Sequence, residues 1–241
     1  MIQPKKSLGQ NFLIDKNIIK KIIKQTNIEN HNIVEIGPGL GNLTDFIITK
    51  KPKTLILIEK DLKLFKYLKK KYKDQKAIKV INSDALKYDF SKLNNIKIIS
   101  NLPYNISTKI IIKLLFKNQN IKNIICMIQK ELAEKFDYNK SKMNKYKFII
   151  KFCASYKMLF NVSNKVFYPK PKVESKVVEF KLKNIQIDKN KLLNFTNKMF
   201  KNRRKNLRNK IKNSSLIHDE ILSKRVEELS FEELLKIYNL F

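Results

Sequence analysis

Three glycines stand close together directly after a short apolar run, in residues 33–41 (IVEIGPGLG). The chain has four glycines in all, and Gly37, Gly39 and Gly41 fall within this stretch. Because glycine lacks a Cβ, a strand can turn sharply there into a helix and leave room for a ligand against its backbone. Amide groups at the start of the helix then face that ligand. The spacing predicts a nucleoside site, and an ordinary tight turn is the alternative.

Two carboxylates follow later apolar runs at positions that suit the same nucleoside. Glu59 ends the run at 54–59. It comes about twenty residues after the glycines, where a carboxylate can accept hydrogen bonds from both ribose hydroxyls. Asp84 follows the run at 77–82 and can accept a hydrogen bond from an adenine amino group. These residues fit either a dinucleotide or S-adenosylmethionine.

The four residues from Asn101 to Tyr104 (NLPY) favour methyl transfer to the exocyclic amine of adenine. That nitrogen, N6, is a poor nucleophile because its lone pair is delocalised into the ring. The Asn101 side-chain oxygen and the Leu102 carbonyl oxygen can each accept one N6 hydrogen and so localise the lone pair. Pro103 stiffens the turn, and stacking of the base on Tyr104 is worth roughly 1–3 kcal/mol. Because a sulfonium methyl donor supplies the driving force, catalysis would consist mostly of positioning the amine, and no metal would be required.

Alternating apolar strands and helices predict a parallel sheet with helices on both faces. Ligands of such sheets bind at the carboxyl ends of the strands. Four of the residues above come at or just after such an end: Gly37, Glu59, Asp84 and Asn101. The predicted strands are 33–36, 54–59, 77–82, 96–100 and 123–129, and the helices that follow them include 42–50, 61–72 and 106–116.

The second half of the chain changes character near residue 184. Two late strands are predicted at 148–156 and 175–183, separated by a proline-stiffened loop at 166–175 (VFYPKPKVES). Beyond them only helices are predicted, at 189–212, 219–228 and 231–238. We therefore predict a sheet domain over residues 1–184 and a small all-helical C-terminal domain over residues 185–241.

A net charge of +31 indicates a polyanionic partner, either nucleic acid or an acidic membrane surface. Lys, Ile and Asn are all heavily used, as in AT-rich coding sequence, so the arginines are more informative than the lysines. Arg203, Arg204 and Arg208 lie within six residues. Arg204, Lys205, Arg208 and Lys212 share one face of the predicted helix at 189–212, which we interpret as a phosphate-binding face. A solvated helix is the alternative.

Other classes of protein are disfavoured. No apolar run approaches the roughly 18 residues of a membrane-spanning helix, and no signal or transit peptide is visible. Cys126 and Cys153 lie in apolar surroundings without metal-binding spacing, which is typical of buried thiols in a reducing compartment. We expect a cytoplasmic monomer with no metal and no membrane partner.

Segments along nearly the whole chain resemble the ribosomal RNA adenine N6,N6-dimethyltransferase family, in its bacterial small-subunit (KsgA-type) branch. The combination of NLPY with GQNFL is highly specific for that family, whereas NLPY alone indicates only an amino-methyltransferase of nucleic acid. The matching segments, in order, are KSLGQNFL, VEIGPGLGNLT, IEKD, NSDAL, NLPYNIST, MIQKE, FYPKPKVES and FKNRRKNLRN.

The resemblance implies a Rossmann-like class I methyltransferase sheet and S-adenosylmethionine as cofactor. The substrate would be two adjacent adenines in the hairpin loop near the 3′ end of 16S ribosomal RNA, each receiving two methyl groups. Enzymes that act on a base take it out of its stack, and an aromatic sandwich would hold it here. The implied roles are cofactor binding by Asn11, Leu13, Gly37, Gly39, Glu59, Asp84 and Asn101; catalysis by Asn101, Leu102, Pro103 and Tyr104; base stacking by Tyr104 and Phe167; and RNA binding by Arg203, Arg204, Lys205 and Arg208.

Two rival functions share much of this pattern. One is the large-subunit adenine methyltransferase of the macrolide-resistance type, and the other is a non-catalytic RNA-binding assembly or transcription factor. The forms NLPYNIST and FKNRRKNLRN favour the small-subunit branch. Departures from the family pattern occur at 146–148 (YKF for the usual YGR), at Lys170 and at Glu174, and core packing is the alternative role for Phe167.

Overall fold

The computed structural model describes residues 4–5, 9–139, 142–202, 205–211, 217 and 219–241. Strands and helices alternate through the first half of the chain. In order these elements are β1 (Phe12–Leu13), α1 (Lys16–Ile23), β2 (Asn32–Ile36), α2 (Asn42–Ile48), β3 (Thr54–Glu59), α3 (Leu62–Lys71), β4 (Ile78–Asn82), β5 (Ile96–Asn101), α4 (Ser107–Leu115), β6 (Ile121–Gln129) and α5 (Lys130–Phe136).

The second half adds strands at one edge of the sheet and then continues as helices. Its elements are α6 (Lys145–Cys153), β7 (Ala154–Val162), β8 (Phe167–Tyr168), β9 (Ser175–Leu182), α7 (Lys189–Phe200), α8 (Asp219–Ser223) and α9 (Phe231–Leu240). Short 3-10 helices lie at Phe90–Lys92, Asn164–Val166, Leu207–Asn209 and Val226–Glu228.

A seven-stranded sheet in the order β4-β3-β2-β5-β6-β9-β7 forms the centre of the molecule. The five strands from β2 to β6 are parallel, and β9 pairs antiparallel with both β6 and β7. Apolar side chains on the two faces of the sheet belong to two buried clusters. The predicted doubly covered α/β sheet is therefore confirmed, and its parallel strands end on one side, where Gly37, Glu59, Asp84 and Asn101 lie.

A second, two-stranded sheet joins distant parts of the chain. β1 pairs antiparallel with β8, with Phe12 opposite Tyr168 and Leu13 opposite Phe167. The amide of Ile14 extends this pairing by donating to the carbonyl of Val166 at 2.9 Å. The N-terminal segment is thus fixed against the proline-containing loop.

The strand predicted at 148–156 is wrong in its first part, because residues up to Cys153 form α6. Asn144 caps this helix by accepting from the amides of Tyr146 and Lys147. Phe148, Ile149 and Ile150 are all fully buried. A helix buried on most of its circumference lacks a polar face, and its sequence then resembles a buried strand.

The long helix predicted at 189–212 is also wrong, because α7 ends at Phe200. Lys201 has extended backbone geometry and Asn202 has a positive φ of 52°. The chain then turns back, and a β-bridge pairs Asn206 with Arg225. Residues 205–211, which are the described part of the basic segment beyond Asn202, contain one 3-10 turn and no α-helix. The helix predicted at 219–228 is likewise broken after Ser223.

The C-terminal helices pack on the same apolar cluster as the sheet. The fully buried ring of Phe148 on α6 lies 5.4 Å from Phe195 on α7, measured between ring centroids, and 5.3 Å from Phe231 on α9. Tyr238 is 5.3 Å from Phe195. The helical segment is held by aromatic packing against α6, and the domain boundary near residue 184 stays a prediction.

Candidate active site

A pocket opens at the carboxyl ends of the parallel strands. Its walls come from the loop after β2, the ends of β3 and β5, the turn after β4 and the segment around β1. All the residues predicted from sequence to bind the cofactor or act on the base amine line it: Asn11, Leu13, Gly37, Gly39, Glu59, Asp84, Asn101, Leu102, Pro103 and Tyr104.

The glycine loop forms the floor of the pocket and requires glycine at Gly39. Its φ is +60°, and a Cβ at this position would lie 2.8 Å from the ring of Phe12. L residues with a side chain rarely adopt that φ, and the contact leaves no space for even one carbon atom. Phe12 of β1 therefore lies directly against the loop, and the close approach of a ligand to the glycines stays a prediction.

The N-terminal segment forms one wall of the pocket. The carbonyl of Asn11 accepts from Nδ2 of Asn101 at 3.0 Å, and Nδ2 of Asn42 donates to the carbonyl of Leu13 at 2.7 Å. Further out, Nζ of Lys5 pairs with the buried carboxylate of Asp61 at 2.5 Å. These contacts tie Lys5, Asn11 and Leu13 to the start of α3, the end of β5 and the start of α2, respectively.

Asn101 has one unused acceptor. Its Nδ2 donates to Asn11, but its Oδ1 is buried and has no hydrogen-bond partner among the described residues. A buried amide oxygen without a partner is unfavourable by about 1–3 kcal/mol. Because Asn101 lines the pocket, a ligand that donates an N–H group there would satisfy it.

Glu59 is held by backbone amides at the end of β3. Oε2 accepts from Gly39 at 3.3 Å and Oε1 accepts from Asp61 at 2.8 Å. The side chain is buried, and burial raises the pKa of this carboxyl despite the two amide hydrogen bonds. Each carboxylate oxygen retains a second lone pair, so Glu59 can accept from hydroxyl groups of a ligand.

Asp84 is fixed differently, beside a cation. Nζ of Lys60 pairs with Oδ2 at 2.9 Å, and the amide of Leu86 donates to Oδ1 at 2.9 Å. The hydrogen bond from Lys60 holds the pKa of Asp84 below its ordinary value, and the amide adds to the effect. The carboxylate stays ionised at neutral pH and remains an acceptor at the rim of the pocket.

The sequence reasoning missed Glu35, a second buried carboxyl in the pocket wall. Oε2 accepts from the Thr44 hydroxyl at 2.6 Å, and burial raises the pKa of Glu35 to about 8. The signal was present, because the glutamate stands inside the apolar run before the glycines. The other interior residues of β2 are all apolar. A charged residue within such a strand is a candidate for a buried functional group.

The two aromatic residues predicted to sandwich the base are placed differently. Tyr104 lines the pocket and is half-buried, and its hydroxyl is 2.5 Å from Oγ of Ser175. Phe167 is 3% exposed, lies outside the pocket lining and packs with Leu13 in an apolar cluster. The pairing of β8 with β1 turns Phe167 into the core, while its neighbour Tyr168 is exposed.

Of the predicted phosphate-binding residues, Lys205 and Arg208 are described, and both lie outside the pocket lining. Arg203 and Arg204 are outside the described residues. Lys205 is exposed, and Nη2 of Arg208 pairs with Oδ1 of Asp219 at 2.6 Å. Both described cations sit on the irregular segment after α7.

Among the described residues, no group of three or more His, Cys, Asp or Glu side chains is placed to hold a metal ion. No helix in the described ranges has the length and apolarity needed to cross a bilayer.

A family model described as "Ribosomal RNA adenine dimethylase" matches residues 1–241. The chain belongs to this family. Membership makes it an enzyme that methylates ribosomal RNA, and S-adenosylmethionine as methyl donor follows from the family. The resemblance drawn from the sequence motifs is thereby confirmed.

Similar proteins with curated names agree with the family. The chain is 39% identical over 242 residues to "Ribosomal RNA small subunit methyltransferase A" of Hydrogenobaculum sp. (strain Y04AAS1), covering 99% of this chain and 94% of that protein. It is 40% identical over 248 residues to the protein of the same name from Sulfurihydrogenibium sp. (strain YO3AOP1), covering 98% and 96%.

Solved structures show the same architecture. A dimethyladenosine transferase from Plasmodium falciparum aligns with a TM-score of 0.79 at 26% identity, covering 95% of this chain and 98% of that one. The 23S rRNA methyltransferase ErmE aligns with a TM-score of 0.71 at 21% identity, covering 95% and 98%. The second likeness shows the fold alone.

The raised pKa of Glu35 predicts a pH-dependent stability. In the folded state the carboxyl holds its proton up to about pH 8, compared with an ordinary value of 4.5. The folded protein therefore binds more protons between these values, so the free energy of unfolding falls as pH rises from about 4.5 to about 8 and levels off above the folded-state pKa. Glu35→Gln keeps a hydrogen-bond acceptor for the Thr44 hydroxyl and removes the carboxyl group that titrates. Relative to Glu35→Gln, the wild type should lose about 2–5 kcal/mol between pH 5 and pH 9 in urea unfolding.

The exposed Glu131 provides a matched control. Glu131→Gln should follow the wild-type pH dependence. Parallel wild-type and Glu35→Gln curves across the whole range would show that Glu35 is ionised in the folded protein at neutral pH.

Proposed function

We propose that this enzyme transfers methyl groups from S-adenosylmethionine to N6 of two adjacent adenines in the hairpin loop near the 3′ end of 16S ribosomal RNA, two groups to each. The observation that carries the proposal is the buried Oδ1 of Asn101, which has no hydrogen-bond partner among the described residues and belongs to a pocket that also presents a glycine floor and two carboxylates. Since small ribosomal subunits are cytoplasmic, we place the activity in the cytoplasm.

The pocket residues suit the parts of the cofactor. The backbone of Gly37 and Gly39 would lie under the methionine portion, Glu59 would accept from the ribose hydroxyls, and the ionised Asp84 would accept from the adenine amine. Asn11 and Leu13 would border the cofactor from the N-terminal wall. When bound, S-adenosylmethionine supplies an electrophilic methyl group on a sulfonium.

The target amine would be held by the turn after β5. Oδ1 of Asn101 accepts one N6 hydrogen, and the carbonyl of Leu102 accepts the other. With both hydrogens engaged, the nitrogen becomes more pyramidal and its lone pair is aimed at the methyl group. A monomethylated amine keeps one hydrogen, so one of these contacts persists during the second transfer. The rate enhancement then comes mainly from the orientation of the amine relative to the methyl group.

Tyr104 would hold the ring of the target base. Its hydroxyl is fixed by Ser175 at the start of β9, which sets the plane of the aromatic ring beside Asn101. Stacking of one base on such a ring is worth roughly 1–3 kcal/mol. Stacking on Phe167 stays a prediction, because this side chain is buried beside Leu13.

Backbone contacts with RNA are proposed for the basic segment after α7. Lys205 and Arg208 are exposed there, and the sequence places Arg203 and Arg204 beside them. The overall charge of +31 would favour any polyanion, so these contacts position the RNA without reading its sequence.

The activity is tested on small ribosomal subunits that lack the two dimethyladenines. Incubation with labelled S-adenosylmethionine should incorporate label, and primer extension should stop at the two adjacent adenines. Intact large subunits serve as the control and should take up no label. Label on large-subunit RNA would favour the macrolide-resistance type of activity, and no label on either subunit would favour a non-catalytic role.

Asn101→Ala removes the side-chain acceptor for N6 and should lower the transfer rate by about 10²–10³-fold, a loss typical of removing one transition-state hydrogen-bonding group. RNA affinity should change by less than about threefold. Asn161→Ala removes an exposed amide on β7 and is the matched control. A large loss of RNA affinity in Asn101→Ala would contradict the role given to this side chain.

Replacing Lys205 and Arg208 together with alanine should weaken RNA binding and flatten its dependence on salt. Each lost phosphate contact lowers the slope of log Kd against log salt by about 0.7–0.9. The double substitution Lys20→Ala and Lys24→Ala, on and just after α1, is a charge-matched control. An unchanged slope in the first variant would remove this segment from the interface.

A further inference from the structure

Tyr168 is the most exposed large apolar or aromatic side chain in the described ranges, at 60% exposure. It lies in β8, directly beside the buried Phe167. Neither the core nor the pocket lining uses its ring. An aromatic ring left in solvent is a common feature of sites that stack nucleic acid bases.

The strand pairing places Tyr168 next to the pocket wall. Directly opposite residues of an antiparallel pair project to the same face of the ladder. Tyr168 is opposite Phe12, and the ring of Phe12 lies against Gly39 in the pocket floor. Leu13 and Phe167 project to the other face and pack into the core. Tyr168 therefore extends the pocket wall to the solvent-exposed surface.

The surroundings of Tyr168 are basic and partly apolar. The exposed side chains of Lys170 and Lys172 follow in the same loop, and Val173 is 43% exposed. The nearest acidic residue along the chain, Glu174, is paired with Lys130 at 2.8 Å. An aromatic platform with neighbouring cations and little free negative charge fits an unpaired nucleotide.

We propose that Tyr168 stacks on an unpaired nucleotide that flanks the target adenine, while Lys170 and Lys172 contact the adjoining phosphates. This inference rests on the proposed function and adds a second contact with the same RNA loop. Moving an adenine into the pocket takes it out of its stack, so its neighbour loses a stacking partner. The ring of Tyr168, on the wall that leads out of the pocket, replaces that partner.

Fluorescence provides a direct test because the chain contains no tryptophan. Tyr168→Trp introduces a single indole at the proposed platform, and stacking of a base quenches indole emission. We expect saturable quenching on titration with a synthetic hairpin that carries the two target adenines in its loop. A duplex of the hairpin stem, with no loop, should quench little. Tyr67→Trp, on α3 at 39% exposure, is the control and should respond to neither RNA.

Steady-state kinetics on small subunits gives a second measurement. Tyr168→Ala should raise the KM for the subunit about 5- to 100-fold, corresponding to the loss of one stacked base. The kcat should stay within about twofold, because the ring lies outside the reacting turn. Tyr168→Phe should restore the wild-type KM, and Tyr67→Ala should not change it.

The outcomes separate this inference from the proposed function. If wild-type protein methylates the two adenines but the indole at 168 is not quenched by the hairpin, or KM is unchanged in Tyr168→Ala, the inference is overturned and the function stands. If wild-type protein neither methylates the subunit nor binds the hairpin, the proposed function fails and the inference fails with it. Equal quenching by hairpin and duplex would indicate non-specific attraction to charge and would also overturn it.

Discussion

The hydrogen bond from Nδ2 of Asn101 to the carbonyl of Asn11 is the contact on which the site depends. It joins residues that are 90 positions apart and fixes the wall formed by the N-terminal segment to the end of β5. Because the amide nitrogen is used in this way, the amide oxygen of Asn101 is left without a partner among the described residues. One side chain thus joins two walls of the pocket and keeps a spare acceptor beside that joint.

The carboxyl groups around this contact differ because their surroundings differ. Glu35 and Glu59 are buried, and burial raises the pKa of both, whereas Lys60 lowers the pKa of Asp84. Three acidic residues near one pocket therefore need not all be charged together, which limits their mutual repulsion. The hydrogen-bond partner of Glu35 is the neutral Thr44, and the charge of Lys71 lowers the pKa of Glu35 by less than burial raises it.

Sequence reasoning recovered the sheet and most of the pocket because both follow from simple periodic rules. Apolar strands separated by helices place Gly37, Glu59 and Asn101 at one edge of the sheet, whatever the details of packing.

Sequence reasoning failed where tertiary contacts override the local pattern. The helix that contains Phe148 is buried almost all round, so it has no polar face to reveal its period. The basic segment near Lys205 leaves the helix although its composition favours one, because the chain turns back to pair with Arg225. The burial of Phe167 depends on a partner strand more than 150 residues earlier in the chain, which no local window contains.

The pairing of β1 with β8 also bears on how the protein is synthesised. The first strand of the pocket wall, at Phe12, meets its partner only when Tyr168 has been made, and β9 must then enter between β6 and β7. A nascent chain that ends before residue 167 has the glycine loop and the carboxylates but an unpaired wall. The pocket wall beside Phe12 therefore cannot be completed until residue 168 has been synthesised, late in the translation of this chain.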